Sequence, residues 1–318
     1  MKKILVTALG TMNSTTIVSE LRRAHESLYI IGADINPRQS IANSKDVDEF
    51  YQFPSVVDDR DGYVDYVLDF CKEHRVDYVF CVIDEEVEAF AKRRDSFEAI
   101  DVVLCLANTE AIVTCHNKDQ FAVWAERNIP DYCIKRFKKF SDVTDEDFPV
   151  FVKPIEGRAS MGCKAIYSPS ELVAYKSAWS DYVVQEFIDG KIIAVDIVSN
   201  QKYSQIEIAQ RVELLRNSNG CGIAVEIVNN KEIRKACFEI AEKLQLNGVV
   251  NAEFFMYKNT PKIIEVNPRL PAGIAYSCMA GLDVVMNAFR IANGEPCKFN
   301  PIKIGSHYAK RYETVELY

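Results

Sequence analysis

Residues 251–269 carry the side chains that are best suited to chemistry in this chain, in the sequence NAEFFMYKNTPKIIEVNPR. Two runs rich in β-branched and aromatic residues flank a Tyr-Lys-Asn-Thr-Pro turn, which predicts a β-hairpin. Strand side chains alternate between two faces, so a turn centred near Asn259 places Glu253 opposite Glu265, with Ile263 on the same face as Glu265. The two acids would lie roughly 5 Å apart, and a cation between them would relieve their repulsion.

The returning strand adds polar groups beside these acids. Asn267 is expected on the same face as the second acid, and Arg269 follows on that side. Two carboxylates and an amide oxygen suit Mg²⁺, which proteins usually hold with carboxylates and phosphate oxygens together. An arginine can hold a phosphate or a developing negative charge. The alternative is a solvent-exposed hairpin whose acids are offset by Lys258 and Lys262.

Length and composition favour a multidomain cytoplasmic protein. The chain has 318 residues, 48% of them hydrophobic, which is enough for two or three domains. It has no apolar run long enough to span a bilayer, and its first residues enter a strand pattern without a signal-peptide cleavage region. Its ten cysteines include no Cys-x-x-Cys pair, as expected of reduced thiols. We therefore expect a cytoplasmic location and no membrane partner.

The net charge limits the kinds of ligand. At −8, it argues against a nucleic-acid-binding surface. Any phosphate ligand would have to be held by local lysines and backbone amides.

The first part of the chain alternates strands with helices. Strands are predicted at residues 2–9, 77–83 and 102–106, with another ending at residue 34, and helices at 15–24, 63–73 and 84–93. Residues between 34 and 63 are assigned to a loop. This alternation predicts a parallel, doubly wound α/β sheet. The region lacks a Gly-x-Gly-x-x-Gly motif, so dinucleotide binding is not favoured.

The pattern changes after residue 110. A helix and further strand–helix alternation are followed by antiparallel strands from residue 182 to 227, which is α+β character. We place one boundary near residue 110 and a softer one near residue 180. The predicted domains are residues 1–110, 111–180 and 181–318.

Lys153 lies in a strand otherwise made of apolar residues and proline. A lysine buried on such a strand is costly unless an anion meets it. The loop at residues 157–162 offers small residues, free backbone N–H groups and the guanidinium of Arg158, which together could cradle a phosphate. An ordinary hairpin loop with a lysine whose ammonium reaches water remains open.

Residues 183–190, VVQEFIDG, form an apolar strand that is interrupted by Gln185 and Glu186. The backbone here could read the edge of an adenine while Phe187 and Ile188 pack on the ring. The alternative is an amphipathic strand that ends in a turn.

Taken in order, these segments resemble the ATP-grasp superfamily over nearly the whole chain. The closest likeness is to the branch of carbamoyl-phosphate synthetase large subunits and stand-alone carboxylate–amine ligases. The segments that carry it are IIGADINP, FCVIDEE, FVKP with GRASMG, VVQEFIDG and NAEFF with IIEVNPR. The resemblance implies an α/β pre-grasp domain with a parallel, Rossmann-like sheet, followed by an α+β ATP-grasp domain of two subdomains.

The resemblance also implies roles for individual residues. The predicted nucleotide contacts are Lys118, Lys153, Arg158, Ser160, Gly162, Gln185, Glu186, Phe187 and Ile188. The predicted ligands of Mg²⁺ or Mn²⁺ are Glu253, Glu265 and Asn267. The predicted catalytic residues are Arg269 and Lys153. The chain departs from the family at Ile192, where an acid usually contacts the ribose, and at Ala159, where glycine is common.

The activity implied is that of an ATP-dependent ligase. It would activate a small carboxylate as an acylphosphate and form an amide with an amine, with amino acids as the first substrates to consider. Arg211 and Arg216 are candidates to bind a substrate carboxylate, with surface charges as the alternative. A kinase of the same superfamily and a catalytically weak nucleotide-binding module are the alternative functions. A homodimer is an expectation from the family.

Overall fold

The computed structural model describes residues 1–24, 27–155, 161–217 and 220–317. Three β-sheets follow one another along these residues, with five, four and six strands. The first sheet is parallel, as predicted, and the other two are built from antiparallel pairs.

The N-terminal sheet has the strand order β3-β2-β1-β4-β5. Its strands are β1 (Lys2–Val6), β2 (Leu28–Asp34), β3 (Glu49–Gln52), β4 (Tyr78–Phe80) and β5 (Val103–Leu104). The accompanying helices are α1 (Met12–Arg23), α2 (Arg60–His74), α3 (Asp84–Lys92) and α4 (Arg94–Glu98). The assignment of residues after Asp34 to a loop is wrong at β3. This edge strand has only four residues, none of them fully buried, so it lacks the apolar alternation that marks a strand.

Glu86 is a buried acid at the start of α3. Its side chain is 2% exposed and accepts hydrogen bonds from Thr7 Oγ1 at 2.6 Å and from the Tyr63 hydroxyl. Burial raises the pKa of this carboxyl from its ordinary 4.5 to about 7, although the two hydrogen bonds act in the opposite direction.

The contribution of Glu86 to the stability of the protein should therefore fall as the pH rises from about 4.5 to about 7. Below this range Glu86 is protonated in both the folded and unfolded chain, whereas within it only the unfolded chain ionises. At 1.36 kcal/mol per pKa unit, the loss is on the order of 3 kcal/mol. Urea unfolding at pH 4.5 and 7.5 measures this loss of stability. Glu86→Gln should flatten the pH dependence of the unfolding free energy. The control Glu98→Gln, at an exposed position, should leave that pH dependence unchanged. An unchanged pH dependence in Glu86→Gln would refute this assignment.

The four-stranded sheet has the order β6-β9-β7-β8. Its strands are β6 (Arg136–Phe137), β7 (Val150–Pro154), β8 (Lys164–Ile166) and β9 (Tyr182–Glu186). Helices α5 (Thr109–His116) and α6 (Lys118–Asn128) lead into this sheet, and α7 (Pro169–Leu172) follows β8. The sheet has a small apolar core of its own, which includes Val150, Val152 and Val184.

The six-stranded sheet has the order β14-β13-β10-β11-β12-β15. Its strands are β10 (Ile192–Asn200), β11 (Gln205–Arg216), β12 (Gly222–Val228), β13 (Gly248–Tyr257), β14 (Thr260–Asn267) and β15 (His307–Ala309). Helices α8 (Lys231–Lys243), α9 (Ile274–Ala280) and α10 (Val284–Ala292) belong to the same part of the chain. Strand β15 pairs antiparallel with β12 and forms one edge of this sheet.

The six-stranded sheet shares its cores with the N-terminal domain. One core joins Leu5 and Phe90 to Ile197 and Phe254, and a second joins α1 to α10. We keep the predicted boundary near residue 110 as a proposal. The predicted boundary near residue 180, between the proposed domains 111–180 and 181–318, precedes β9, which is hydrogen-bonded within the four-stranded sheet, so we propose placing it after Glu186 instead.

Among the described residues, no single helix combines the length and apolar character needed to cross a membrane. The α9 and α10 pair passes that test jointly, on length and composition only, with a bend of 96° between the two helices.

Candidate active site

The hairpin predicted at residues 251–269 forms at one edge of the six-stranded sheet. Its strands, β13 and β14, are joined by a two-residue turn in which Lys258 and Asn259 have φ angles of 48° and 65°. Both angles are left-handed, as a type I′ turn requires. Glu253 pairs directly with Glu265, as the spacing predicts.

A β-bulge in the second strand changes which residues face the acids. Phe254, the residue after Glu253, pairs with Ile263, so Ile264 is the extra residue. The prediction that Ile263 shares a face with Glu265 is therefore wrong. Ile263 is 5% exposed and packs in the core with Phe254.

The two paired acids lie in a partly buried, electrostatically strained position. Burial raises the pKa of Glu253, and the neighbouring Glu265 raises it further. Arg216 offsets part of this charge, with its Nη2 lying 3.7 Å from Oε2 of Glu253. Asn267 donates a hydrogen bond from Nδ2 to Oε1 of Glu265 at 3.3 Å. The predicted metal ligands are thus adjacent.

These three side chains fit a hard divalent cation. They supply carboxylate and amide oxygens, and a cation between Glu253 and Glu265 would remove the repulsion of their charges. Among the described residues, no group of three or more His, Cys, Asp and Glu side chains is arranged to hold a metal ion. A cation here would therefore need further ligands, as Mg²⁺ obtains from phosphate oxygens and water.

Lys153 connects the four-stranded sheet to the bulge. Its side chain is buried and its ammonium Nζ donates to the backbone carbonyl of Ile264 at 3.0 Å. Burial lowers the pKa of Lys153, and the nearby Glu265 partly offsets this effect. The carbonyl that Lys153 contacts belongs to the extra residue of the bulge.

Lys118 is the first residue of α6. The Asn117 side chain caps this helix by accepting from the amides of Asp119 and Gln120, both at 3.0 Å. The backbone amide of Lys118 donates to the carbonyl of Ile155 at 3.2 Å, which holds the start of the helix beside the four-stranded sheet. Lys118 lines the same cavity as Lys153.

This cavity has a volume of about 280 Å³ and lies between the four-stranded and six-stranded sheets. It is the smaller of two cavities that meet at the paired acids. The predicted nucleotide contacts that line it are Lys118, Lys153, Gln185, Glu186, Phe187 and Ile188. Ile192, the departure at the predicted ribose position, lines it too. The cavity therefore brings together residues 185–188 and both lysines.

The glycine-containing loop is described only in part. Arg158 and Ser160 lie outside the described residues. Gly162 has a φ of +73°, and a Cβ on it would lie 2.9 Å from Cγ of Pro154. Its neighbours Met161 and Cys163 line the smaller cavity. Glycine is therefore required at this position by both backbone conformation and space.

A larger cavity, of about 390 Å³, lies on the other side of the paired acids. It extends from the N-terminal domain to β11, and Asn267 and Arg269 both line it. The residues that line both cavities are Lys118, Arg216, Glu253, Ile264 and Glu265. The paired acids thus stand where the two cavities meet.

Arg269 is held by a residue of the N-terminal domain that sequence reasoning did not single out. Its Nε donates to Oδ1 of Asp84 at 2.7 Å, and Nη2 lies 3.3 Å from Oδ2. Burial alone would lower the pKa of Arg269, but the ion pair with Asp84 has the larger combined effect, so the pKa is raised. Asp84 stands in the quoted segment FCVIDEE, but nothing in its local sequence identifies a partner 185 residues away.

Arg211 lines the larger cavity, and its interpretation as a surface charge is wrong. It is 3% exposed and its Nη1 lies 2.8 Å from Oδ2 of Asp196. Asp196 is fully buried and also accepts from Ser277 at 2.6 Å and from Asn251 at 2.9 Å. Gly273 leaves room for the guanidinium, because a Cβ there would lie 2.7 Å from Nη2.

Comparison with known proteins gives matches to both halves of the chain. A family model described as "ATP-grasp in the biosynthetic pathway with Ter operon" matches residues 178–312. A second model, described as "PylC-like, N-terminal domain", matches residues 4–105.

Relatives and solved structures agree with these matches. The carbamoyl phosphate synthase large chain of Clostridium botulinum is 27% identical over 184 residues, covering 54% of this chain but only 17% of that protein. The 3-methyl-D-ornithine–L-lysine ligase of Methanosarcina acetivorans is 22% identical over 251 residues, covering 68% of each chain. The biotin carboxylase domain of Hydrogenobacter thermophilus 2-oxoglutarate carboxylase shares the fold, with a TM-score of 0.78 at 17% identity over 96% of this chain and 73% of that one.

The order of the sheets, the two family matches and the relatives agree on one assignment. Residues 178–312 form an ATP-grasp domain and residues 4–105 a PylC-like N-terminal domain, and the chain is homologous to carbamoyl phosphate synthase large chains and to a stand-alone ligase.

Proposed function

We propose that this protein is an ATP-dependent carboxylate–amine ligase. The observation that carries the proposal is the meeting of two cavities at Glu253 and Glu265. A nucleotide in the smaller cavity would direct its terminal phosphate towards the acids. A carboxylate in the larger cavity would approach the same point from the opposite side.

The smaller cavity has the chemistry of an ATP site. An apolar floor that includes Phe187 and Ile188 suits a purine, and the adjacent strand end offers backbone groups for its edge. Lys118 and Lys153 would neutralise phosphate oxygens. Lys153 is buried with a lowered pKa, so an anion would supply the counter-charge that its surroundings provide only in part.

Glu253, Glu265 and Asn267 would hold Mg²⁺ or Mn²⁺ together with the phosphates. The divalent cation, when bound, would neutralise phosphate charge and orient the terminal phosphoryl group. The two carboxylates also make the electrostatic potential at this position negative, which favours cations there.

The proposed reaction has two steps. A substrate carboxylate oxygen attacks the γ-phosphorus, and the bond from that phosphorus to the β–γ bridging oxygen breaks, giving an acylphosphate and ADP. The amine nitrogen then attacks the acyl carbon, loses a proton and expels phosphate, which leaves an amide. Arg269 would stabilise negative charge on the transferring group, and Asp84 positions its guanidinium.

The comparisons support this proposal in two ways. The Methanosarcina relative is named for joining two amino acids, and the matched biotin carboxylase domain was crystallised with MgADP and bicarbonate. We therefore propose ATP and Mg²⁺ as cofactors and small carboxylates and amines, including amino acids, as substrates. The ten cysteines are free, which supports a proposed cytoplasmic location. The matched biotin carboxylase domain is described as a dimer, which supports a proposed homodimer.

The test is release of ADP and phosphate from Mg-ATP across a matrix of carboxylates and amines. Release that requires both partners, with an amide confirmed by mass, is expected. Release with one partner and a stable phosphorylated product would instead identify a kinase. ATP binding without release for any pair would contradict the ligase proposal.

Ile192 offers a separate prediction about nucleotide affinity. It is the first residue of β10 and lines the smaller cavity where the family usually has an acid for the ribose hydroxyls. Ile192→Asp is expected to tighten ATP binding about tenfold, because a hydrogen bond to a charged group contributes roughly 1.5–3 kcal/mol. Calorimetric titration with ATP measures this, with Ile192→Leu as the apolar control. Equal affinities for all three proteins would show that another residue already contacts the ribose.

A further inference from the structure

Glu213 is a buried acid in the larger cavity with no role in the mechanism above. It lies on β11, two residues after Arg211, so both side chains occupy the same face of the strand. Its side chain is 7% exposed and lines the cavity. Gly222 on the neighbouring strand leaves space for it, because a Cβ at that position would lie 2.8 Å from Oε1 of Glu213.

One oxygen of this carboxylate has no hydrogen-bond donor among the residues that the structure describes. Oε2 of Glu213 lies 2.6 Å from Nε of Arg216, but the N–H is not directed at it. The Nε–H instead donates to the carbonyl of Gly220 at 2.8 Å. The ion pair with Arg216 offsets part of the cost of burying this charge, and a cationic ligand group in the cavity would add a hydrogen bond to the carboxylate.

The other cations near Glu213 have partners of their own. Arg211 is paired with the buried Asp196 at 2.8 Å. Lys310 donates from Nζ to the carbonyl of Ala272 at 2.8 Å. Of the described cations near Glu213, only Arg216 is paired with it, so the carboxylate can still accept from a cationic group in the cavity.

The position of Glu213 relative to the paired acids indicates which substrate group it meets. Arg216 lies between them, 2.6 Å from Glu213 and 3.7 Å from Glu253. A carboxylate at the junction of the cavities, next to Glu253, would leave the rest of a small substrate pointing towards Glu213.

We propose that Glu213 binds the ammonium group of an α-amino acid whose carboxylate is activated at the junction of the cavities. This inference rests on the proposed ligase function and specifies its carboxylate substrate. An ammonium paired with a buried carboxylate keeps its proton and its lone pair is unavailable. It therefore belongs to the acyl donor and not to the attacking amine.

The experiment compares amino acids with their α-hydroxy analogues as acyl donors, with ATP consumption and product mass as readouts. In the wild-type protein we expect kcat/KM to favour the amino acid by about 10- to 100-fold, as loss of a charged hydrogen bond predicts. Glu213→Gln should remove most of that preference by raising KM for the amino acid, while the KM for ATP stays unchanged. Glu213→Asp should restore part of the preference.

A matched control and a second readout distinguish a role of Glu213 in binding the acyl donor from a role in maintaining the fold. Glu226→Gln changes a partly exposed acid on the adjacent strand β12 that does not line the cavity, and should behave as wild type. Thermal unfolding reports whether Glu213→Gln folds. A rise in the KM for ATP, or an equal loss with both acyl donors, would mean that Glu213 only holds Arg216 and would overturn the proposal.

Failure of the Glu213 assignment and failure of the proposed ligase function give different results in this experiment. Wild-type turnover of hydroxy acids as efficient as that of amino acids would overturn the Glu213 assignment and leave the ligase intact. Absence of ATP consumption by wild type with every carboxylate would overturn the ligase function and this assignment with it.

Discussion

Glu265→Gln is expected to lower ATP-dependent turnover by roughly a thousandfold and to leave the fold intact. The substitution keeps the size of the side chain but removes one of the two charges that would hold the divalent cation. Stabilisation of transferring phosphate by a metal contributes several kcal/mol of the barrier, and about 4 kcal/mol corresponds to a thousandfold change in rate. Steady-state kinetics with saturating Mg-ATP measures the loss.

The folded state should tolerate this change well. Glu265 is paired with Glu253, whose pKa is raised by burial and by that neighbouring charge, so the glutamine removes a repulsion. The melting temperature is expected to be equal to or above that of the wild type. Glu242→Gln, at an exposed position on α8, is the matched control. Near-normal turnover in Glu265→Gln would remove the metal assignment.

Lys153→Met is expected to weaken ATP binding by about 10- to 100-fold. A charge-assisted hydrogen bond to phosphate contributes roughly 1.5–3 kcal/mol, and methionine has a similar length without the charge. The ammonium is buried, and its pKa is lowered by that burial, so an apolar replacement removes the cost of burying a charge and offsets the loss of the hydrogen bond to the carbonyl of Ile264. Calorimetric titration with a non-hydrolysable ATP analogue gives the dissociation constant.

The four-stranded sheet offers a control for this effect. Lys164 is exposed on the neighbouring strand β8, where it pairs in register with Val152 and does not line the smaller cavity. Lys164→Met should leave the dissociation constant unchanged. If Lys153→Met also binds the analogue normally, the lysine serves only to tie β7 to the carbonyl of Ile264.

Local sequence patterns predicted much of the fold and part of the site. Alternating strands and helices predicted the parallel sheet, and the spacing about the turn predicted that Glu253 pairs with Glu265. These features depend on near neighbours in sequence, where side-chain periodicity is informative. The short strand β3 was missed because its four residues lack that periodicity.

Contacts between distant segments could not be predicted in this way. The bulge at Ile264 interrupts the period of two, so the face of Ile263 was assigned wrongly. The ion pair of Arg269 with Asp84 and the buried pair of Arg211 with Asp196 join different strands or domains. Each charge alone is compatible with a solvated surface, and only the fold shows that its partner is buried beside it.

Transfer of ¹⁸O from the substrate carboxylate to phosphate would test the central claim most directly. The acyl donor found in the substrate matrix would be labelled with ¹⁸O in its carboxylate and incubated with Mg-ATP and the amine. An acylphosphate route predicts that each amide formed is accompanied by one released phosphate carrying one ¹⁸O atom, because that oxygen leaves the carboxylate with the phosphorus. Unlabelled phosphate, or AMP in place of ADP, would contradict the mechanism proposed for the junction of the two cavities.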